Sequence, residues 1–580
     1  MKNLFKFLGR NKKSAILGLA SKFIETILEL FLPLIMADLI EKTSSQIEIK
    51  LILVNGFLML GIILINIALA IFGQYFATKA STSFGKSLRD ALFNHINKLS
   101  YSGIDNIGVP SLITRLTSDT SALQNVVFMT VRVGLRAPFV AIGAIIMVII
   151  IDPIIAPVFL GIIALVVLSV ILLSKKSSKI YKAVRKKLDR IVSVTSENVT
   201  GVRVVRANSR RSAEIERFSI TADEYKKSSL IAARFTSLLH PISLLVVQTG
   251  VLGILVVAGL TNNPSISSAK LTAFVTYMMQ ILFAIIVLTN LANIFVRATA
   301  SSQRINEILE LNPSPALDDG ITTIDENNEY AIEFDNVHFG YSSENVLTNI
   351  SFKIKKGETL GILGGTGSGK TSLVNLIPAF YFPKKGSVKI FGVDTRLFNL
   401  KFLRSFVSVA PQKAIISSGT VRDGIAFGRD LSDATILSAL KVAKASFINS
   451  SPEGIYKQIS RDAHNISGGQ KQRLSIARAI AANPKILILD DAGSALDYAT
   501  DRALSNSLSE FYPGLTKVLV SQRVFAVRQS DVIIMIEAGT IVGIGTHDTL
   551  LQTCVSYREV YTSQTPNTDI NMTEVVQSDN

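Results

Sequence analysis

The chain has a single cysteine, Cys554, in 580 residues. One thiol excludes an intrachain disulfide framework and a cysteine-rich metal centre. Histidine is almost as scarce. His95, His240, His338, His464 and His547 are scattered and never fall at metal-ligand spacing. The net charge of +16 invites a nucleic-acid partner, yet no nucleic-acid-binding module is visible. Many basic residues instead flank apolar runs, where membrane topology accounts for them. A cleavable leader is not expected either. The first apolar stretch is too long, carries Lys22, Glu25 and Glu29, and lacks an A-x-A-like site. What the chain has in excess is apolar residues: 48% of the total, with a mean hydropathy of +0.39. They concentrate before Leu311, which points to a membrane domain.

Six apolar runs approach or exceed the roughly 20 residues that cross a bilayer. They are Ser14–Ile40, Leu51–Phe76, Val131–Ile151, Ile154–Leu173, Leu239–Leu260 and Ala273–Val296. The loops after the first, third and fifth are short: Glu41–Lys50, Asp152–Pro153 and Thr261–Ser268. The segments after the second and fourth are long, helix-forming and rich in Lys and Arg, which places them and both termini in the cytoplasm. Met1–Lys13 is basic and amphipathic. It either lies in the cytoplasmic interface or simply supplies flanking charge.

Polar groups inside the runs are functional candidates by default. Glu25 and Glu29 lie at i, i+4 on one helical face. They either bind cationic substrates in a cavity or pair with Arg132, Arg136 or His240, and pairing or a near-interface position is favoured. Gln74, Gln248, Gln280 and Asn290 are candidates to line such a cavity. Tyr277, Met278 and Met279 suit a promiscuous apolar surface, although core packing is the simpler reading. The expected domains are 1–311 in the membrane, a Pro-, Gly- and acid-rich linker at 312–329, a nucleotide-binding domain at 330–561 and a polar tail at 562–580.

The second half carries three nucleotide motifs. GGTGSGKT follows the strand-like run Leu360–Leu363 and fits G-x-x-x-x-G-K-[ST]. In it, Gly364, Gly365, Thr366, Gly367, Ser368 and Gly369 offer backbone N–H groups to phosphate. Lys370 reaches the β/γ-phosphates, Thr371 ligates Mg²⁺, and Ser372 follows in the same turn. Ile466, Ser467, Gly468, Gly469 and Gln470 open a helix with small residues, a second phosphate-facing start. The buried-strand run Ile486–Leu489 ends in Asp490 and Asp491, where a carboxylate reaches a nucleotide-held Mg²⁺.

ISGGQ, with a P-loop upstream and ILILDDAGSALD downstream, resembles the ATP-binding cassette (ABC) family from about Ile332 to Leu551. With the six runs, nearly the whole chain resembles an exporter-type half-transporter. The implied fold is an all-α six-helix transmembrane domain fused to an α/β P-loop domain. The implied ligands are ATP and Mg²⁺. The resemblance makes Tyr341 the aromatic that stacks on adenine. It makes Gln412 the loop glutamine that touches Mg²⁺ and water, and Asp490 the Mg²⁺-associated aspartate. It places Asp497, the end of SALD, in a loop that crosses a dimer interface. His547 matches a structural turn without a catalytic role. Tyr101–Pro110 and Ala207–Arg217 resemble the intracellular turns that carry coupling helices.

Two positions depart from the pattern. Hydrolytic members carry Glu after the Mg²⁺ aspartate, and this chain has Asp491. The shorter side chain retracts the carboxylate, and a ~1 Å misplacement costs on the order of 10²-fold in rate. They carry a switch histidine further on, and this chain has Gln522, which donates a hydrogen bond but cannot titrate. The ISGGQ signature is intact. Because each ATP in this family lies between one domain's P-loop and the other's signature, the resemblance is to the degenerate-site subunit of heterodimeric bacterial multidrug exporters. The expectation is efflux of amphipathic or hydrophobic compounds across the cytoplasmic membrane, with a second half-transporter, membrane lipids and a small amphipathic substrate as partners, and no nucleic acid. The alternatives are a lipid or peptide exporter, a siderophore importer of the same fold, or a regulatory ATP-binding membrane protein that does not transport.

Overall fold

The computed structural model describes residues 2–45, 49–153, 155–260, 268–313 and 320–565. The expected loops Glu41–Lys50 and Thr261–Ser268, the linker and the tail lie wholly or partly outside these residues. The chain divides into two compact units. One comprises Met1–Asn94 and Pro110–Glu310; the other comprises His95–Val109 and the chain from Leu311 on.

The first unit is helical. Helices Lys12–Ser45, Ile49–Ile96, Arg136–Ile151, Ala156–Thr200, Leu239–Leu260 and Ser268–Glu310 overlie all six apolar runs. At 1.5 Å per residue, the 48-residue helix Ile49–Ile96 is about 72 Å long, roughly twice a hydrocarbon core. Among the described residues, three helical segments, Ile49–Ile96, Val109–Ile151 and Ala269–Glu310, are long and apolar enough to cross a membrane by length and composition. Among the described residues, the apolar stretches Ala156–Ser169 and Leu244–Val256 lie within two further helices, Ala156–Thr200 and Leu239–Leu260. Phe57 and Ile71 stand 72% and 66% exposed, so these side chains face outward, as lipid contact requires. Helices cross closely at glycines: a Cβ on Gly143 would fall 2.2 Å from Leu30 Cδ1, and one on Gly250 2.6 Å from Ile162 Cγ2. Small residues permit such approach where lipid supplies no hydrophobic drive.

Glu25 and Glu29 of the first helix are both paired. Lys22 Nζ donates to Glu25 at 2.6 Å, and Arg136 Nη2 donates to Glu29 at 2.7 Å. Of the partners considered for Glu29, Arg136 is therefore the one engaged. Arg132 lies over the Phe128 ring, and the His240 side chain is outside the described residues. Tyr277 and Met278 are core residues, and the Tyr277 hydroxyl donates to the Leu30 carbonyl at 2.7 Å. Below the apolar region, Asp119 accepts from Ser301 Oγ at 2.9 Å and from Arg304 Nε at 2.8 Å.

The second unit is α/β. Its strands are β1 Tyr330–Phe339, β2 Leu347–Lys355, β3 Thr359–Leu363, β4 Lys385–Ile390, β5 Val393–Asp394, β6 Val407–Ala410, β7 Gly419–Thr420, β8 Gln458–Ile459, β9 Ile486–Asp490, β10 Thr516–Ser521, β11 Val532–Glu537 and β12 Thr540–Gly545. An antiparallel sheet runs β2-β1-β4-β5, and β7 pairs β8. The main sheet runs β12-β11-β3-β10-β9-β6, parallel except for edge strand β12. Strands β3 and β9 are buried at every position, which explains why both read as unbroken apolar runs.

The short helix Tyr101–Ile107 belongs to this second unit. Ser100 caps it, accepting from Gly103 N at 3.2 Å. The Tyr101 ring centroid lies 4.6 Å from that of Phe380, and the Arg404 guanidinium covers both rings. Asp105 accepts a hydrogen bond from the Tyr381 hydroxyl.

Candidate nucleotide site

Parallel pairing sets the site. Val520 lies opposite Asp490, Ser521 opposite Leu363, and Ala410 opposite Leu489. The segments that follow these strands therefore leave one edge of the sheet together. They carry the glycine loop, Asp491, Gln522 and Gln412.

The loop after β3 turns sharply. Gly367 and Gly369 take φ of +81° and +102°, values that favour glycine. A Cβ at Gly365 or Gly367 would meet nothing within 4 Å, so both border open space. Ser368 Oγ is buried without a hydrogen-bond partner among the described residues. Lys370 Nζ donates to the carbonyls of Gly364 and Gly365 at 2.8 and 2.7 Å. Burial holds the Lys370 ammonium below its ordinary pKa, against the pull of Asp491 and Asp490. An open cradle, an orphaned hydroxyl and a buried cation fit a phosphate chain.

Thr371 Oγ1 donates to Asp490 Oδ1 at 3.2 Å. Burial raises the pKa of Asp490, while Thr371 and Lys370 oppose the rise. A hydroxyl beside one carboxylate fits Mg²⁺, which is held by few protein oxygens plus substrate phosphates. Among the described residues, no group of three or more His, Cys, Asp or Glu converges into a metal cage.

Asp491 has φ +48°, and its N–H donates to Val520 O at 3.0 Å. Its carboxylate accepts from Gln412 Nε2 at 3.2 Å. Gln522 is exposed just past β10. Tyr341 is 52% exposed and stands edge-on to Phe339 and Tyr381, with centroids 5.0 Å away in each case. Its hydroxyl shares a 3.1 Å hydrogen bond with Ser372 Oγ. Ser372 and Tyr341 are thus tied to one another beside the loop.

The signature residues open helix Gly468–Ile480 through a reciprocal cap. Gln470 N donates to Ser467 Oγ at 3.3 Å, and Ser467 N donates to Gln470 Oε1 at 2.9 Å. Ile466 is buried beneath them. A Cβ on Gly468 would meet nothing within 4 Å, whereas one on Gly469 would fall 2.9 Å from the Ala495 carbonyl. Gly468 faces outward, and Gly469 is the seat of the SALD loop. Asp497 caps helix Tyr498–Phe511, with both carboxylate oxygens engaged by Thr500. His547 is buried against the Tyr557 hydroxyl at 2.7 Å.

Sequence reasoning missed several supports. Gln472 Nε2 donates to Pro411 O at 3.1 Å and Arg478 Nη1 to Ile415 O at 2.8 Å, so the signature helix grips the Gln412 loop. Gln564 brackets the Gln522 turn, donating to Gln522 O at 2.8 Å and accepting from Val524 N at 2.9 Å. Helix Val555–Gln564 accordingly runs past 561, where the tail was expected to begin. No local pattern marks these residues, because their partners are 40 to 63 positions away.

The transmembrane region of ABC transporters matches residues 15–285, and the ABC transporter domain matches residues 347–494. The chain belongs to the ABC transporter family and is an exporter-type half-transporter, a membrane domain fused to an ATPase domain. An ABC transporter ATP-binding protein of Bacillus subtilis, YfiB, is 30% identical over 571 residues, 97% of this chain and 98% of its own. A Mycobacterium tuberculosis ABC transporter ATP-binding protein is 31% identical over 558 residues, 94% of each chain. The ATP-dependent lipid A-core flippase of Desulfotalea psychrophila is 29% identical over 489 residues, 84% of this chain and 85% of its own. Family membership implies Mg²⁺-dependent ATP binding, hydrolysis coupled to transport, and function as a pair of half-transporters.

Proposed function

We propose that this chain is the slow-site subunit of a heterodimeric exporter of amphipathic compounds, with both termini in the cytoplasm and residues 1–311 and 330–561 as its membrane and nucleotide domains. Bound Mg²⁺-ATP would supply the phosphoanhydride whose cleavage powers the cycle. Lys370, the loop N–H groups and Ser368 would hold phosphate, Thr371 and Asp490 the metal, and Tyr341 the base.

The observation that carries the reading is the contrast between the two faces of the nucleotide domain. On the P-loop face, the position of the catalytic base holds Asp491, one methylene short and hydrogen-bonded to Gln412. The position of the switch histidine holds Gln522, which cannot carry charge. On the signature face, the Ser467–Gln470 cap is complete and Gly468 is open. The chain thus holds its own nucleotide for slow turnover and presents an intact signature to a partner's. The exposed short helix Val202–Ala207, with Val204 65% exposed, offers a second surface for that partner.

The test is turnover by the purified chain alone. It should bind ATP yet hydrolyse it far more slowly than ordinary exporters. Robust hydrolysis by a demonstrated homodimer would refute the slow-site assignment.

A further inference from the structure

The helical unit holds a cavity of about 950 Å³ between helices Ala156–Thr200, Arg211–Ser237 and Ser268–Glu310. Of the four polar residues considered for a cavity lining, only Asn290 lines it. Among the described residues, its charged lining consists of Lys182, Arg185 and Arg297 against the one carboxylate of Asp189. Among the described residues, none of the three cations has a carboxylate within ion-pair distance. That contrasts with Glu25 and Glu29, which Lys22 and Arg136 neutralise. Cation binding by those two glutamates is thereby disfavoured.

The lining is also graded. On helix Ser268–Glu310, Ile286, Asn290, Asn293 and Arg297 succeed one another at helical spacing on one face. From Ile286 to Arg297 is about 16 Å along the axis. The wall passes from apolar through neutral amide to cation over that span. On the facing helix, Tyr181 and Arg185 repeat the i, i+4 spacing. The positive-inside rule explains basic residues at a helix end. It does not explain why these three share one cavity with two amides and stay unpaired.

We propose that this cavity binds an anionic amphiphile, with a phosphate or carboxylate headgroup at Lys182, Arg185 and Arg297 and its apolar tail toward Ile286. The proposal rests on the exporter reading and names the substrate class for it. The headgroup can belong to a membrane lipid or to a water-soluble amphiphile, since the recognising chemistry is the same.

The test uses the full-length chain in phosphatidylcholine nanodiscs without nucleotide. Two fluorescent probes share one dodecyl tail; one carries a phosphate monoester and the other a trimethylammonium group. The phosphate probe should bind about tenfold more tightly at low salt, and the preference should shrink in 0.5 M salt as exposed charges are screened. Replacing Lys182→Gln, Arg185→Gln and Arg297→Gln together should abolish the preference. Replacing Lys175→Gln, Lys179→Gln and Lys186→Gln, equal in charge but outside the cavity lining, should leave it. Stronger competition by phosphatidic acid in the disc than by soluble dodecyl phosphate would identify a lipid source, and the reverse a soluble one. Equal or tighter binding of the trimethylammonium probe, or a preference that survives the cavity triple variant, would overturn the proposal. The salt titration of the unmodified chain needs no variant to fold. Because no ATP is present, failure here leaves the slow-site reading standing, and fast homodimer turnover leaves the cavity standing.

Discussion

Asp491 occupies a left-handed backbone position at φ +48°, and its carboxylate already accepts a hydrogen bond from Gln412. Aspartate is among the non-glycine residues that adopt this region most readily. The substitution is therefore comfortable for the fold, and its cost falls on reach. Changing Asp491→Glu together with Gln522→His should raise hydrolysis at this chain's own site by roughly 10- to 100-fold. Either change alone should do less, because a base and a switch act as a unit. Trapped-nucleotide stoichiometry per dimer measures it, and no shift toward product at this site counts against the assignment. The two altered residues were legible in the sequence because the surrounding motifs fix their positions to the residue. The supports Gln472, Arg478 and Gln564 were not, because their partners are brought near only by the fold.

Two polar contacts anchor elements that apolar packing alone would leave loose. Asp119 joins the turn Arg115–Asp119 to helix Ser268–Glu310 through Ser301 and Arg304. The hydrogen bond from Arg304 holds the Asp119 carboxyl below its ordinary pKa, with Ser301 adding to the effect against burial. A lowered carboxylate pKa means stability that is present above the unfolded value of about 3.9 and lost as pH falls through the folded one. Asp119→Asn should cost roughly 1–3 kcal/mol at neutral pH. Thermal melts should show the unmodified chain losing this advantage over the variant below about pH 4. A difference that persists unchanged at low pH would show that the ion pair is not its source.

The helix Tyr101–Ile107 poses the same question for the nucleotide unit. Tyr381→Phe removes the hydroxyl that Asp105 accepts and keeps the ring that abuts Tyr101 and Tyr341. Hydrogen exchange across Tyr101–Ile107 should quicken by about tenfold, corresponding to one hydrogen bond to a charged group. Unchanged exchange would show that stacking on Phe380 and Arg404 suffices. The sequence marked this segment by its resemblance to a turn that carries a coupling helix. It did not reveal the aromatic cluster, whose members lie about 280 positions apart.

At the scale of the molecule, hydropathy periods and three motifs delivered the two-part architecture, because long apolar helices and buried parallel strands are encoded locally. The charge balance of the large cavity was not legible, because it depends on which basic residues stay unpaired. The central claim is the inequality of the two nucleotide sites, and it is tested by comparing two variants of the proposed heterodimer at saturating ATP. A Cβ at Gly468 would meet nothing within 4 Å, so Gly468→Glu should act mainly on the nucleotide presented by the partner. It places bulk and negative charge where N–H donors meet phosphate, and loss of such a donor costs roughly 3–4 kcal/mol. Lys370→Ala removes a phosphate contact from the slow site alone. With assembly of both variants verified by size-exclusion chromatography, Gly468→Glu should abolish most ATPase activity while Lys370→Ala leaves a substantial fraction. Abolished activity in Lys370→Ala with activity spared in Gly468→Glu would contradict the account, because the catalytic and slow sites would then be reversed.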